Sequence, residues 1–252
     1  MKQLLYGFLL AIQFLTRLPV PVQCPWNRDT SRWAIRSYPL VGMIMAVFLM
    51  AIHLLLEPFL PLSMMVLVLL TAWVWLSGGL HLDGWMDVAD AVGSNRSLEK
   101  KWEIMKDPHV GSFGIIALFF LLAWKCLLVY LLIDGGTLIY SFLFVLAFSR
   151  LGAVILMLAL PTAKQHGLAW EWKMNISWFD GLCAFLPIAI ILFWFNDFLF
   201  LLPAYIFFYI LFGAWMAYQF KGSNGDLLGA AIEGGELWGL AIIWTYFSFV
   251  MG

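Results

Sequence analysis

Long apolar runs alternate with short polar stretches along almost the whole chain. The runs fall near residues 37–56, 62–80, 113–133, 137–160, 178–196, 199–219 and 236–251. Each approaches the roughly 20 residues that an α-helix needs to cross a bilayer, the last being somewhat short. An earlier apolar stretch, 3–16, is halted by Arg17. It reads as an interfacial or re-entrant helix, with a true crossing as the alternative. It has no small-residue cleavage site, so a signal peptide is not expected. The pattern predicts an all-α fold: a polytopic integral membrane helical bundle of about seven spans, in one domain over residues 1–252.

Lysine and arginine give the orientation. The loops near 17–36, 81–112, 161–177 and 220–235 hold Arg17, Arg28, Arg32, Arg36, Arg96, Lys100, Lys101, Lys106, Lys164, Lys173 and Lys221. The turns around Glu57, Asp134 and Asp197 hold none. Cytoplasmic loops carry such an excess, so the larger loops are expected on the cytoplasmic side and the C-terminus outside. The loops alternate correctly only if residues 3–16 do not cross.

Composition agrees with the pattern. The chain is 63% hydrophobic and 12% charged, against roughly 45–50% apolar in soluble domains, and its mean hydropathy is +0.92. A net charge of −1 favours no partner, and nucleic acid is not expected. Cys24, Cys126 and Cys183 lack CxxC spacing and read as small buried residues. There is no internal repeat.

Against this apolar background, one polar stretch carries three acidic residues at helical spacing. In His81-Leu82-Asp83-Gly84-Trp85-Met86-Asp87-Val88-Ala89-Asp90 the steps of four and three put Asp83, Asp87 and Asp90 on one helix face. Stacked carboxylates repel, and a hard divalent cation relieves that repulsion. Mg²⁺ takes such oxygen ligands and usually shares its site with substrate phosphates. Gly78 and Gly79 would let the backbone bend or approach a ligand. His81 could donate to a phosphate, act as a general base, or orient another group.

A second polar stretch, Glu103 to Gly114, ends a charged helix at Asp107-Pro108, since proline disfavours helix just before it. Gly111 and Gly114 then open the next span, and free N–H groups there could cradle a phosphate, with Lys106 and His109 neutralising its charge. A third runs from Gly222 to Glu236. Asp226 and Glu233 are seven apart on one helix face, Glu236 follows, and Gly229 and Ala230 allow close helix packing. This second acidic face, on the same membrane side as the first, suggests a shared metal site. Two cations, Lys125 and Arg150, lie inside predicted spans, where charge is costly. Arg150 is the better phosphate candidate, because its fork matches phosphate oxygens.

Together these segments resemble the cobalamin synthase family, the adenosylcobinamide-GDP ribazoletransferases of the late cobalamin pathway. The resemblance runs nearly end to end: Phe14-Leu15-Thr16-Arg17-Leu18-Pro19-Val20-Pro21, Tyr38-Pro39-Leu40-Val41-Gly42, Gly78-Gly79-Leu80-His81-Leu82-Asp83-Gly84 with Asp87 and Asp90, Glu103-Ile104-Met105-Lys106-Asp107 leading to Val110-Gly111-Ser112-Phe113-Gly114, and Gly225-Asp226-Leu227-Leu228-Gly229-Ala230 with Glu233. Asn224, Pro108-His109 and Ala91 depart from the family's usual Thr, Ser-Arg and Gly.

The resemblance implies a Mg²⁺-dependent transfer in the bacterial cytoplasmic (inner) membrane, with the active site on the cytoplasmic side. A ribose hydroxyl of α-ribazole, or of its 5′-phosphate, would attack the cobinamide-linked phosphorus of adenosylcobinamide-GDP. GMP would leave, giving adenosylcobalamin or its phosphate. Asp83, Asp87 and Asp90, with Asp226 and Glu233, would hold Mg²⁺, and His81 with Asp83 would serve catalysis. Arg17, Lys106, Asp107, Gly111, Arg150 and Gly225 would contact substrate. The bulky corrinoid calls for a cytoplasm-facing cavity. Other late-pathway enzymes are conceivable partners, and no feature specifies an oligomeric state.

Aspartate-rich prenyltransferases and CDP-alcohol phosphotransferases also bind Mg²⁺-diphosphates, but the Gly-Gly-Leu-His-Leu-Asp-Gly context argues against both. A corrinoid or cation transporter would need carboxylates reachable from both sides. The exterior turns carry almost none.

Overall fold

A computed structural model describes residues 2–163 and 167–250. Lys164, one of the loop cations named above, lies outside them. The first helix, α1 (Lys2–Leu15), is 14 residues long, about 21 Å at 1.5 Å per residue. That is short of the roughly 30 Å hydrocarbon core, as the interfacial or re-entrant reading expects. It buries Gly7, Ala11, Ile12 and Leu15 and packs on α2 (Arg28–Leu56).

α2 begins at a capping box, in which the Asn27 side chain accepts from the Thr30 N–H and the Thr30 hydroxyl stands 3.1 Å from the Asn27 N–H. The 17–36 loop is therefore helical from Arg28 onward. Polarity marked it as loop, but the first turns of a long membrane helix project beyond the apolar core and can carry Arg28, Arg32 and Arg36. Arg32 and Arg36 reach a carboxylate on another helix, Asp180, at 3.1 and 2.7 Å.

α3 (Leu62–Ser77) ends at Gly78 and Gly79, with φ of +66° and +72°. Only glycine adopts two successive left-handed conformations at little cost. They turn the chain by 88° into α4 (Leu80–Gly93), the acidic stretch. α3 is the apolar half of this bent pair, and α4 is its polar half. α5 (Leu98–Ile104) is the short charged helix. α6 (Ser112–Asp134) and α7 (Leu138–Ala159) are spans. α8 (Leu168–Asn175) meets α9 (Trp178–Trp194) at 94°. A 3-10 turn, Asn196–Phe198, precedes α10 (Leu201–Phe220), and α11 (Gly225–Phe249) completes the described chain.

Among the described residues five segments are long and apolar enough to cross a membrane alone, and seven when each bent pair counts as one span. Seven matches the predicted number. α7 sits at the centre against α2, α9 and α11. At the α2–α7 crossing a Cβ on Gly42 would lie 2.2 Å from the Leu146 carbonyl oxygen, so the backbones touch.

The 220–235 stretch, placed among the loops although Asp226 and Glu233 were expected on one helix face, is mostly helix. Only residues 221–224 separate α10 from α11, and the Gly- and Ala-rich run that follows is buried helix. Small residues there permit contact with α4 and α7, which outweighs the weak helix propensity of glycine. A lone bridge between Thr162 and Ser223, with Ala163 N–H donating to the Ser223 carbonyl at 2.9 Å, fixes the start of α11 beside the end of α7.

Candidate active site

The acidic stretch on α4 meets the start of α11 through glycine. A Cβ on Gly84 would lie 2.6 Å from the Asp226 carbonyl oxygen, and one on Gly229 would lie 3.3 Å from the His81 Cα. This close crossing brings Asp83 and Asp87 of α4 toward Asp226 of α11. Asp83 is exposed, while Asp87 and Asp226 are half-buried. Partial burial, then the charges of Asp83, Asp226 and Asp90, push the Asp87 carboxyl up to about 7. The Asp226 carboxylate accepts a hydrogen bond from the Asn224 amide at 2.7 Å.

Among the described residues no three His, Cys, Asp or Glu side chains stand close enough to cage a metal by themselves. The donors at the crossing are all carboxylate oxygens, and their crowding disfavours the ionised state. Both features fit Mg²⁺, which needs one or two carboxylates and takes the rest of its shell from water and substrate phosphates.

Asp90 stands apart from this group. Its two oxygens accept the Gly111 and Gly114 N–H groups, each at 2.8 Å, and so cap α6. Both groups were expected to face a metal or a phosphate, and here they are joined to each other. The Asp90 carboxylate is engaged by backbone, and the N–H groups offered as a phosphate cradle at Gly111 and Gly114 already have an anion.

Glu233 is also displaced from the expected metal set. Lys125 Nζ lies 2.5 Å from both Glu233 Oε2 and Glu236 Oε2, and Arg150 pairs with Glu236. Arg150 is fully buried and further bonded to Ser149 Oγ at 2.9 Å. Two cations and two anions form a neutral group between α6, α7 and α11. Arg150, expected to meet phosphate, and Glu233, expected to meet metal, are here held in this buried ion-pair group.

A cavity of about 460 Å³ opens beside the crossing and is lined by His81, Lys106, Gly225 and Asp226. Asp83 and Asp87 lie outside its lining. It is smaller than the corrinoid-sized cavity expected. His81 is 4% exposed, and burial, helped by the Arg150 charge, pushes its imidazole down to about 3. The ring is therefore neutral near pH 7, and its Nδ1 is buried without a partner among the described residues. Asp107 instead accepts from the His109 backbone N–H at 3.0 Å and contacts its Nδ1 at 2.7 Å, on an exposed turn. Arg17 is exposed and stacks its side chain against Gly78, where a Cβ would lie 2.3 Å from Arg17 Nε.

Sequence reasoning passed over the aromatic part of the cavity. Tyr38, Trp102, Trp170 and Trp172 line it, and none of them was among the expected site residues. The signal available was Trp172 in the polar 161–177 stretch, outside the apolar runs.

Comparison with known proteins places the chain. The family model described as cobalamin-5-phosphate synthase matches residues 7–244. The chain is 35% identical to an adenosylcobinamide-GDP ribazoletransferase of a Geobacillus strain, with 100% of each chain covered. It is 37% identical to the protein of that name in Halalkalibacterium halodurans, with 99% of each covered. To that of Thiobacillus denitrificans it is 35% identical, with 91% of each covered. No solved structure matches it. With a family model spanning nearly every helix and relatives matched from end to end, the chain belongs to the cobalamin-5-phosphate synthase family.

Proposed function

We propose that this membrane protein is an adenosylcobinamide-GDP ribazoletransferase, joining α-ribazole or its 5′-phosphate to adenosylcobinamide-GDP in late cobalamin biosynthesis. The supporting observation is the crossing at which Gly84 lets the α4 carboxylates meet Asp226 beside a cavity holding His81. A ribose hydroxyl oxygen forms a bond to the cobinamide-linked phosphorus. The bond from that phosphorus to the oxygen bridging to the GMP moiety breaks, and GMP leaves with the electron pair.

One or two of the carboxylates Asp83, Asp87 and Asp226, with water and the substrate's diphosphate, would hold Mg²⁺, which would supply neutralisation of the diphosphate charge and a template for in-line displacement. His81, neutral and buried, orients the attacking hydroxyl by accepting its hydrogen bond. The hydroxyl's proton passes to water or to a carboxylate. Lys106, on the cavity lining, offsets phosphate charge. Arg17 stands on the loop that returns against the Gly78 turn, where it can contact the same anion.

The predicted cytoplasmic loops contain α4, α5 and the start of α11, so the site opens to the cytosol across a bacterial inner membrane. A transporter is disfavoured because the buried charges Lys125, Arg150, Glu233 and Glu236 pair with one another. The test is to supply the lipid-reconstituted chain with adenosylcobinamide-GDP and α-ribazole. Ribazole-dependent GMP and a ribazole-containing corrinoid are expected, and a well-folded sample yielding neither refutes the reading.

A further inference from the structure

The cavity beside the crossing has walls of two kinds. His81, Lys106 and Asp226 supply polar lining, from α4, the turn after α5, and the start of α11. Phe14 of α1, Tyr38 of α2, Trp102 of α5, and Trp170 and Trp172 of α8 supply aromatic lining. Four separate helices thus each bring an aromatic ring to one small space. Trp172 is 1% exposed and sits edge-on to Phe14, Trp26 and Tyr38 at centroid distances of 5.7, 4.8 and 6.2 Å. Trp102 is braced edge-on by Phe220 at 5.5 Å. Such packing holds the rings in fixed orientations before any ligand arrives. Two polar atoms of this wall, Tyr38 Oη and Trp172 Nε1, are buried without hydrogen-bond partners among the described residues. Buried polar groups are nearly always paired, and a ligand heteroatom can supply a missing partner.

We infer that this chamber seats the flat aromatic base of the nucleoside acceptor, stacked against Trp170 and Trp102 of its lining. The inference rests on the transferase reading above. Of the two substrates only one suits the space. About 460 Å³ lies within the range of small-ligand pockets, roughly 300–1,000 Å³. A corrin macrocycle bearing an adenosyl group and guanosine diphosphate exceeds it, so the donor lies outside. A base stacked on the indole rings leaves its ribose toward the polar lining, where an attacking hydroxyl can meet His81 and the carboxylates. Aromatic stacking contributes binding energy to a flat base whatever its identity, so these tryptophans act on acceptor affinity and not on chemistry.

The test compares wild type, Trp170→Ala, Trp170→Phe and Trp102→Phe as full chains in liposomes, with GMP release measured while each substrate is varied. Trp170→Ala is expected to raise the KM for α-ribazole roughly tenfold, the loss of one base–aromatic contact. The KM for adenosylcobinamide-GDP and kcat stay within about twofold, and both Phe variants keep most of the ribazole affinity. Binding of α-ribazole alone, followed by calorimetry, gives a readout independent of turnover and weakens in parallel. A ribazole KM indifferent to Trp170, or a rise in the donor KM instead, overturns the inference while leaving the transferase reading intact. A wild-type protein that binds α-ribazole yet releases no GMP refutes the transferase reading and leaves the chamber standing.

Discussion

Gly84 and Asp226 touch backbone to backbone: a Cβ on Gly84 would lie 2.6 Å from the Asp226 carbonyl oxygen and 2.8 Å from its Cα. The contact sets the distance between the α4 carboxylates and the carboxylate that opens α11. Gly84→Ala must therefore push the helices apart, at about 1–3 kcal/mol for overpacking. We expect a lower unfolding temperature in detergent and a steeper loss of GMP release than of stability. At Gly225 nothing stands within 4 Å of an added Cβ. Gly225→Ala should then leave the unfolding temperature nearly unchanged, and any loss of activity there would mark close approach of substrate.

Asp90 serves α6. Asp90→Ala removes the acceptor for two N–H groups, and loss of such a cap costs about 1–2 kcal/mol. The expected outcome is a destabilised protein whose residual GMP release keeps the wild-type Mg²⁺ requirement. A shifted Mg²⁺ requirement would return Asp90 to the metal site.

The Lys125–Glu233–Glu236–Arg150 group predicts strong coupling. Lys125→Met leaves two carboxylates facing one guanidinium, at about 3–5 kcal/mol for an uncompensated buried charge. Adding Glu233→Gln restores neutrality. The double variant should be more stable than Lys125→Met alone, as thermal unfolding would report.

Crowding around Asp87 gives a pH dependence with a definite sign. The folded carboxyl titrates at about 7, above its ordinary value of 3.8. Between those values the folded state binds more protons than the unfolded one, so this group's contribution to stability falls as pH rises and is lost above about 7. Asp87→Asn should therefore stabilise the metal-free protein at pH 8 and have little effect near pH 4. Because metal binding needs the ionised carboxylate, the Mg²⁺ concentration for half-maximal GMP release should rise as pH falls from 8 to 6.

The membrane architecture was legible because a bilayer imposes one rule on every crossing segment, which five of the seven apolar runs meet alone and two only with a bent partner helix. Helix ends were less legible. Arg28 to Arg36 and Gly225 to Gly235 are polar or small enough to read as loops, yet tertiary contacts with Asp180 and with α4 make both helical. The His81–Asp90 stretch announced its chemistry through spacing, but spacing could not separate Asp87 from Asp90, whose partners lie 21 and 24 residues ahead in the chain. Glu233 shares a helix face with Asp226, as its spacing implied. Its fate was decided by Lys125, more than a hundred residues earlier.

The most direct test of the account is GMP release by the lipid-reconstituted protein from adenosylcobinamide-GDP and α-ribazole, in Mg²⁺ and in EDTA, beside Asp83→Asn and Asp226→Asn. Activity should require Mg²⁺, and each variant should lose about 100-fold or more, equivalent to roughly 3 kcal/mol of transition-state stabilisation, while unfolding at the wild-type temperature. Undiminished turnover in EDTA, or wild-type rates in both variants, would contradict a metal-dependent transfer at the crossing of α4 and α11.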